Sequence, residues 1–252
     1  MTALFSIFIF AAGLCLGSFY NVVGLRVPRG ESMIRPRSHC TQCRCTLSAA
    51  ELIPLFSYLW LRGSCRGCGK AISPIYPLVE LGTALLFAVM PALIGWSYEL
   101  LVAWTLISLL VVICITDLRY MLIPDKVLLV FAILFLVLRI VFPLHPWWNM
   151  FVGAGLGFAL LFVIAVASKG GMGGGDMKLF AVLGLVLGWK GILLAFFFST
   201  LYGTLIGAVG IMLGKVRRGR PMPFGPFIAL GAMTAYLWGE ELIAWYFQFL
   251  MT

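Results

Sequence analysis

Three aspartates are the residues of this sequence best suited to catalysis. Asp117, Asp125 and Asp176 are its only Asp residues, and each borders a long apolar run. A carboxylate beside a membrane-spanning segment is costly to place there and therefore indicates a functional site. The competing interpretation is that each carboxylate only caps a helix or pairs with a nearby Lys or Arg. For Asp125, which follows Pro124 at a predicted helix start, we favour this structural interpretation.

Asp117 and Asp176 are predicted to act as a pair. Asp117 ends a continuous apolar run, and Asp176 follows the glycine cluster in "GMGGGDMKLF". We expect Gly173 and Gly175 to allow close backbone approach and positive φ there. Two neighbouring carboxylates share one proton, so the ionised one can activate water while the protonated one donates to a carbonyl oxygen. Lys178 is expected either to hold negative charge near this site or to reach the membrane interface.

Four cysteines form a second candidate site. Cys40 and Cys43 make one Cys-x-x-Cys pair and Cys65 and Cys68 another, with 21 residues between the pairs. Four thiolates in two such pairs fit a tetrahedral, structural Zn²⁺ site that has no open position for water. A redox dithiol is the alternative, but the surroundings lack a thioredoxin-like βαβ pattern. Disulfides are disfavoured in a reducing compartment.

The elements that position these residues are predicted to be membrane-spanning helices. The chain has 252 residues, of which 62% are hydrophobic and 11% charged, whereas soluble domains are about 45–50% apolar and about 25% charged. The sequence therefore predicts an all-α polytopic membrane protein with about eight transmembrane helices. We expect the first to be a permanent span and not a cleaved signal peptide. Most of the predicted segments approach or exceed the roughly 18 residues that span a bilayer, and they cover residues 3–25, 75–95, 99–117, 126–143, 149–168, 177–189, 191–214 and 224–248.

One polar segment interrupts the apolar pattern. Residues 26–74 contain both cysteine pairs and are predicted to form a cytoplasmic, zinc-ribbon-like loop. We therefore divide the chain into a first transmembrane helix (1–25), a tetracysteine loop (26–74) and a membrane-embedded core (75–252).

The basic residues predict the orientation in the membrane. With the N-terminus outside, all of the 18 Lys and Arg except Arg139 and Lys190 fall on the cytoplasmic side, as the positive-inside rule requires. The net charge of +9 is then a topology signal. Because these charges are scattered over several loops, we expect the lipid bilayer and no nucleic acid as a partner. All three Asp residues fall on the same cytoplasmic side.

Several motifs together resemble one family. Residues 173–176 read Gly-x-Gly-Asp and residues 117–125 read Asp-x₆-Pro-Asp, and they occur with "GSFYNVVGLRVP", the four-cysteine loop, "IYPLVEL" and "PMPFGPFIALG". In this order, over nearly the whole chain, they resemble the type IV prepilin leader peptidases. Thr41, where a Pro is common, and the additional Cys45 depart from the family pattern.

The resemblance implies a membrane-embedded aspartic protease in which Asp117 and Asp176 are the catalytic pair and Asp125 is a neighbour. It implies prepilin or pseudopilin substrates, cut on the cytoplasmic side of the bacterial inner membrane. It also implies a second activity, the N-methylation of the new N-terminal residue with S-adenosylmethionine.

Two residues have competing interpretations. Glu80, in the second predicted span, is expected either to take part in methyl transfer or to make a structural hydrogen bond to another span. His39 is an alternative metal ligand beside Cys40, although the four cysteines suffice.

Two other classes of function compete with the protease. An ion- or proton-coupled membrane transporter is the alternative, because intramembrane acids also form ion sites. Transporters commonly carry internal repeats with sites near the midplane, whereas here no clear repeat is seen and the acids lie at one face. A structural membrane subunit with a zinc loop would need neither the Gly-x-Gly-Asp motif nor a second aligned Asp.

Overall fold

The computed structural model describes residues 2–168, 171–214 and 222–251. Five of the basic residues behind the predicted orientation lie outside them: Lys169, Lys215, Arg217, Arg218 and Arg220. Within the described residues the chain is almost entirely helical, and β-structure is limited to two isolated bridges. The helices are α1 (Thr2–Arg26), α2 (Phe56–Trp60), α3 (Ile75–Ile94), α4 (Glu99–Tyr120), α5 (Asp125–Val141), α6 (Asn149–Ala167), α7 (Gly174–Met212) and α8 (Gly225–Met251).

The predicted all-α membrane architecture is confirmed. In the described part of the chain, six helices are long and apolar enough to cross a membrane, namely α1, α3, α4, α6, α7 and α8. The predicted segment 126–143 corresponds to α5, which has 17 residues. The predicted segments 177–189 and 191–214 are both parts of α7, which has 39 residues. The eight apolar segments therefore occupy seven helices.

A kink separates the two predicted segments within α7. Gly188 has φ 66° and ψ −177°, a conformation that side chains disfavour, and it interrupts the helix. The Trp189 N–H donates to Asn149 Oδ1 of α6 at 3.0 Å. A Cβ at Gly188 would lie 2.7 Å from that same oxygen. The amide side chain therefore satisfies the backbone at the kink, and only glycine leaves it room.

The chain forms two compact units, Met1–Ile115 and Thr116–Thr252, and the boundary between them falls within α4. In the first unit α1 packs closely against α3, since a Cβ at Gly17 would lie 2.8 Å from the Glu80 Cα. Such close approach of small residues is typical of helix contacts in membranes.

The second unit is built around α7. A Cβ at Gly153 of α6 would lie 2.5 Å from the Gly184 carbonyl oxygen of α7, so these two helices touch backbone to backbone. From α5, the buried Arg139 donates from Nη2 to the Val186 carbonyl oxygen at 3.0 Å. These contacts fix the helix that begins at the Gly-x-Gly-Asp motif.

Candidate active site

Asp117 lies in the last turn of α4 and is buried. Its Oδ2 accepts a hydrogen bond of 2.6 Å from the N–H of Gly225, the first residue of α8. The Phe224 N–H also donates to this carboxylate. The first N–H groups of a helix have no partner within the helix, and the helix dipole favours negative charge there. The N-terminus of α8 therefore holds the Asp117 carboxylate in place.

Asp176 lies in the first turn of α7 and is half-buried. Its N–H donates to the Gly173 carbonyl oxygen at 3.1 Å, which closes the first turn. The Asp117 and Asp176 carboxylates are close enough to interact electrostatically. The fold therefore brings these two acids together, from α4 and α7, within the second unit.

The glycines before Asp176 allow neighbouring side chains to approach the backbone closely. The prediction of positive φ at these glycines is wrong. Gly173 has φ −69° and ψ 137°, which is extended backbone before the helix, and Gly175 is already helical. A Cβ at Gly175 would lie 2.9 Å from the Ile123 Cβ, and one at Gly173 would lie 3.2 Å from Asp176 Oδ2. Small size is needed at these positions because a neighbouring side chain and the acid itself occupy the space.

Lys178 is paired with Asp125. The Lys178 Nζ lies 2.8 and 2.7 Å from the two carboxylate oxygens of Asp125. Asp125 begins α5 and Lys178 lies in α7, so the ion pair links the starts of two helices. Both side chains are more than half exposed. This geometry agrees with the structural interpretation of Asp125. The positive charge of Lys178 is paired with the Asp125 carboxylate.

Gly225 is the residue of this site that sequence reasoning missed. A Cβ at this position would lie 2.9 Å from both the Cβ and the Oδ2 of Asp117. Its N–H is also the donor to that carboxylate. The motif "PMPFGPFIALG" was the available signal, but nothing in the sequence connects its first glycine with an aspartate 108 positions earlier.

Two acids in this arrangement can perform general acid–base chemistry. A backbone donor of α8 holds the buried Asp117, whereas Asp176 is half-buried at the start of α7. Two carboxylates in one site readily share a single proton. The pair can then deprotonate a water molecule with one member and protonate a carbonyl oxygen with the other.

The cysteine loop consists of two knuckles with the same backbone pattern. Cys40 N–H donates to the Cys45 carbonyl oxygen, and Cys65 N–H donates to the Lys70 carbonyl oxygen, both at 2.9 Å. The residue four positions after the first cysteine has positive φ in each knuckle. It is Arg44 (φ 58°) in the first and Gly69 (φ 69°) in the second.

The four predicted cysteines form a single cluster that can bind a metal ion. The Sγ atoms of Cys40, Cys43, Cys65 and Cys68 all lie within 4.8 Å of one another. Two of the Sγ–Sγ distances, Cys40 to Cys68 and Cys43 to Cys65, are 3.9 Å. Tetrahedral coordination at the usual zinc–sulfur distance would require about 3.8 Å. The cluster therefore fits a four-sulfur metal site.

The environment of the sulfurs differs within the cluster. The backbone N–H groups of Cys68 and Gly67 lower the pKa of the Cys65 thiol to about 6. The Cys43 thiol donates to Cys45 Sγ at 3.1 Å, and this hydrogen bond raises the pKa of Cys43 to about 11. Cys45 thus borders the cluster as a fifth sulfur. Among the described residues, neither Cys45 nor His39 belongs to the group of possible metal ligands.

Glu80 holds the cysteine-containing insertion against α3. Its carboxylate is buried, and Oε2 accepts a hydrogen bond of 2.8 Å from the Leu55 N–H. The geometry favours the structural interpretation of Glu80. The partner is the insertion and not another span.

Comparison with known proteins places these motifs in one family. Residues 11–94 match the bacterial peptidase A24 N-terminal domain, and residues 104–208 match the type IV leader peptidase family. A prepilin leader peptidase/N-methyltransferase of Bacillus subtilis is 47% identical to this chain, with 95% of this chain and 97% of the relative covered. Proteins of the same name from Aeromonas salmonicida (35% identical, 94% and 92% covered) and Pseudomonas aeruginosa (32% identical, 94% and 91% covered) also match. No solved structure shows a significant match.

The similarity extends over nearly the whole chain, and the acids and the cysteines lie in the matched regions. The protein is a multi-pass protein of the inner membrane. The chain belongs to the type IV leader peptidase family.

Proposed function

We propose that this chain is a membrane-embedded aspartic endopeptidase that removes the leader peptide of type IV prepilins or pseudopilins. The relatives are named prepilin leader peptidase/N-methyltransferase, and we extend both activities to this chain. The observation that carries the peptidase activity is the electrostatic interaction of Asp117 with Asp176, which come from two different helices. Family membership disfavours the alternative of an ion- or proton-coupled transporter.

The two acids have different roles in this proposal. We assign the ionised role to Asp117, because hydrogen bonds from the Gly225 and Phe224 N–H groups favour the charged form of its carboxylate. It accepts a proton from the attacking water, and Asp176 donates a proton to the carbonyl oxygen of the scissile peptide. A tetrahedral diol forms. Its collapse breaks the C–N bond as Asp117 gives its proton to the leaving amine and Asp176 takes a proton back from a diol hydroxyl, which returns the pair to its starting state. Gly173 and Gly175 support Asp176 by their small size, and the Asp125–Lys178 pair supports the starts of α5 and α7.

The location of the site follows from the predicted topology. With the N-terminus outside, both acids face the cytoplasm, where the leader peptide of a substrate would be cut. The proposed division into a first helix (1–25), a tetracysteine loop (26–74) and a protease core (75–252) assigns cleavage to the last part. The bilayer and the substrate are the proposed partners, and no nucleic acid is expected.

The metal at the cysteine cluster is proposed to be Zn²⁺. Four sulfurs at distances near 3.9 Å suit a tetrahedral ion. Cys40, Cys43, Cys65 and Cys68 would fill every position, so the ion would crosslink the two knuckles and leave no place for a reacting water. Its role is therefore to stabilise the fold of the insertion.

The proposed N-methylation uses S-adenosylmethionine as the methyl donor. Glu80 is the residue for which the sequence allows either a part in this activity or a structural hydrogen bond. Its carboxylate is buried and already accepts the Leu55 N–H, which does not fit an open cofactor site. Glu80 therefore has no part in the proposed methyl transfer.

Single substitutions of the two acids test the peptidase proposal. The purified variants Asp117→Asn and Asp176→Asn would be assayed in detergent for cleavage of a prepilin peptide. We expect each to lose about 10²–10⁴-fold in kcat. Methylation of a substrate that is already cleaved, followed by mass spectrometry, serves as the control for folding. A variant that cuts at a near wild-type rate would refute the assigned pair.

A further inference from the structure

The insertion between α1 and α3 carries an apolar cluster that the proposed chemistry does not use. It consists of Ile53, Phe56, Leu59 and Trp60, in α2 and the turn before it. Each of these side chains is more than half exposed, and Trp60 is 89% exposed. Single exposed apolar residues are common, but a contiguous group of large ones indicates a surface that contacts protein or lipid.

A strained turn presents this cluster. Leu55 has φ 62° and ψ −50°, a conformation that is rare for residues with a side chain. The Phe56 N–H donates to the Pro54 carbonyl oxygen at 2.6 Å, so residues 54–56 form a tight γ-turn of the strained, positive-φ kind. Such strain persists only where the surrounding structure holds it in place.

Glu80 holds the turn at the level of a membrane-spanning helix. The Leu55 N–H donates to Glu80 Oε2 at 2.8 Å, and Glu80 is buried. Glu80 is the sixth residue of α3, which is long and apolar enough to cross a membrane. The turn is therefore fixed beside the first two turns of a helix that is long and apolar enough to span a membrane, which would put the apolar cluster at the edge of the bilayer.

Basic side chains border the cluster. Arg62 and Arg66 are exposed and lie two and six residues after the end of α2. Residues 26–74 contain eight Lys and Arg against two Glu. Phe56, Trp60 and Arg66 also line an open groove of about 520 Å³. Exposed aromatic and aliphatic residues beside arginines are typical of segments that lie in the interface of an anionic bilayer.

We propose that residues 53–66 form an interfacial anchor that binds the surface of an anionic phospholipid bilayer. The apolar cluster enters the boundary between headgroups and acyl chains, where Trp is favoured. Arg62 and Arg66 contact the anionic headgroups, and Glu80 sets the depth through Leu55. The excess of positive charge selects lipid over a cationic partner. The anchor holds the tetracysteine loop at the membrane surface.

Fluorescence of the full-length protein in vesicles tests this anchor. The protein would be reconstituted in phosphatidylcholine with or without phosphatidylglycerol, using lipids with or without bromine in their acyl chains. Because the chain has eight Trp, the emission of Trp60 is taken as the difference between the wild type and Trp60→Phe. We expect this emission to be quenched by brominated lipid, and more strongly when phosphatidylglycerol is present. Arg66→Gln should remove that dependence on anionic lipid.

A second pair of variants tests the role of Glu80. Glu80→Ala, made with and without Trp60→Phe, removes the acceptor for Leu55 and should reduce the quenching of Trp60. Thr83→Val is the matched control, because Thr83 is buried in the same helix and its hydroxyl donates to Val79 within that helix. It should leave the quenching unchanged.

Three results would overturn the anchor. The first is quenching of Trp60 by aqueous iodide but not by brominated lipid. The second is quenching by brominated lipid that does not depend on phosphatidylglycerol. The third is protection of Trp60 from iodide that appears only when a prepilin peptide is added. The last would assign the cluster to substrate. The wild-type measurement decides between lipid and water even if Glu80→Ala fails to fold. None of these readouts requires cleavage, so they are independent of the proposed peptidase activity.

Discussion

The substitution Gly225→Ala tests whether backbone contact at the start of α8 sets the position of Asp117. The change adds a single methyl group, and that methyl would lie 2.9 Å from Asp117 Cβ and Oδ2 and 3.2 Å from Cγ. The Gly225 N–H donates to the same Oδ2 at 2.6 Å. The carboxylate and its donor cannot both keep their places.

The magnitude follows from these distances. Ordinary van der Waals contact begins near 3.4 Å, so the carboxylate must move by about 0.5 Å or the helix start must shift. A hydrogen bond to a charged group contributes about 1.5–3 kcal/mol. At about 1.4 kcal/mol for each factor of ten, its loss predicts a fall in kcat of about 10- to 150-fold. KM should change little, because the displaced atoms act on the reacting bond.

The assay is steady-state cleavage of a prepilin peptide in detergent over a range of pH, with a thermal melt of each variant. Gly239→Ala is the matched control on the same helix. A Cβ there would lie 3.5 Å from Leu194 Cδ1, which is an ordinary contact. Gly239→Ala should keep wild-type kcat, whereas Gly225→Ala should also shift the pH–rate profile. In the background of Asp117→Asn, Gly225→Ala should cause little further loss, because both changes act on one carboxylate.

Two results would refute this reasoning. One is a Gly225→Ala protein that melts like the wild type and cuts with unchanged kcat. The other is a full additional loss from Gly225→Ala in the Asp117→Asn background. Either would mean that the hydrogen bond from α8 does not position the catalytic acid.

The two acids, the Asp125–Lys178 ion pair and the cysteine cluster each allow one further measurement. The kcat/KM of the wild type should be bell-shaped against pH, because one acid must be ionised and the other protonated. A profile without an acid limb would contradict the proposal that the two acids share one proton. Asp125→Asn should lower kcat by less than about fivefold, because an exposed ion pair contributes about 0–1 kcal/mol. A loss as large as that of Asp176→Asn would contradict the supporting role of Asp125. Cys65→Ser should lose the bound zinc and melt at lower temperature, whereas Cys45→Ser should keep the metal, as measured by elemental analysis. Zinc retained in Cys65→Ser would contradict the four-sulfur site.

Much of the architecture could be predicted from composition and local spacing. Long apolar runs form helices in a membrane because every backbone polar group must be satisfied within the segment. The cysteine cluster could also be predicted, because each Cys-x-x-Cys pair is a local turn. Only the contact between the two pairs, which are distant in the sequence, had to be assumed. The break within α7 was expected near residue 190 and lies at Gly188, where the Asn149 side chain occupies the space that a Cβ would need.

The glycines before Asp176 show the limit of local interpretation. Gly-rich sequence indicates unusual backbone angles, yet Gly173 and Gly175 have ordinary ones. They are small because Asp176 itself and Ile123, more than 50 positions earlier, lie against them. The hydrogen bond from Leu55 to Glu80 and the ion pair between Lys178 and Asp125 likewise join residues that are distant in the sequence.

The amino-acid sequence was enough to predict which chemical groups are present and at which end of each apolar segment they lie, because hydropathy and charge act over a few neighbouring residues. It also supplied, through its motifs, the family and the candidate acids, whose catalytic role stays a prediction. The folded chain was needed to show which backbone N–H groups donate to Asp117 and which glycines must stay small around the acids. Those contacts join segments up to 108 residues apart, and they depend on helix packing to within a few tenths of an ångström, which no local pattern encodes.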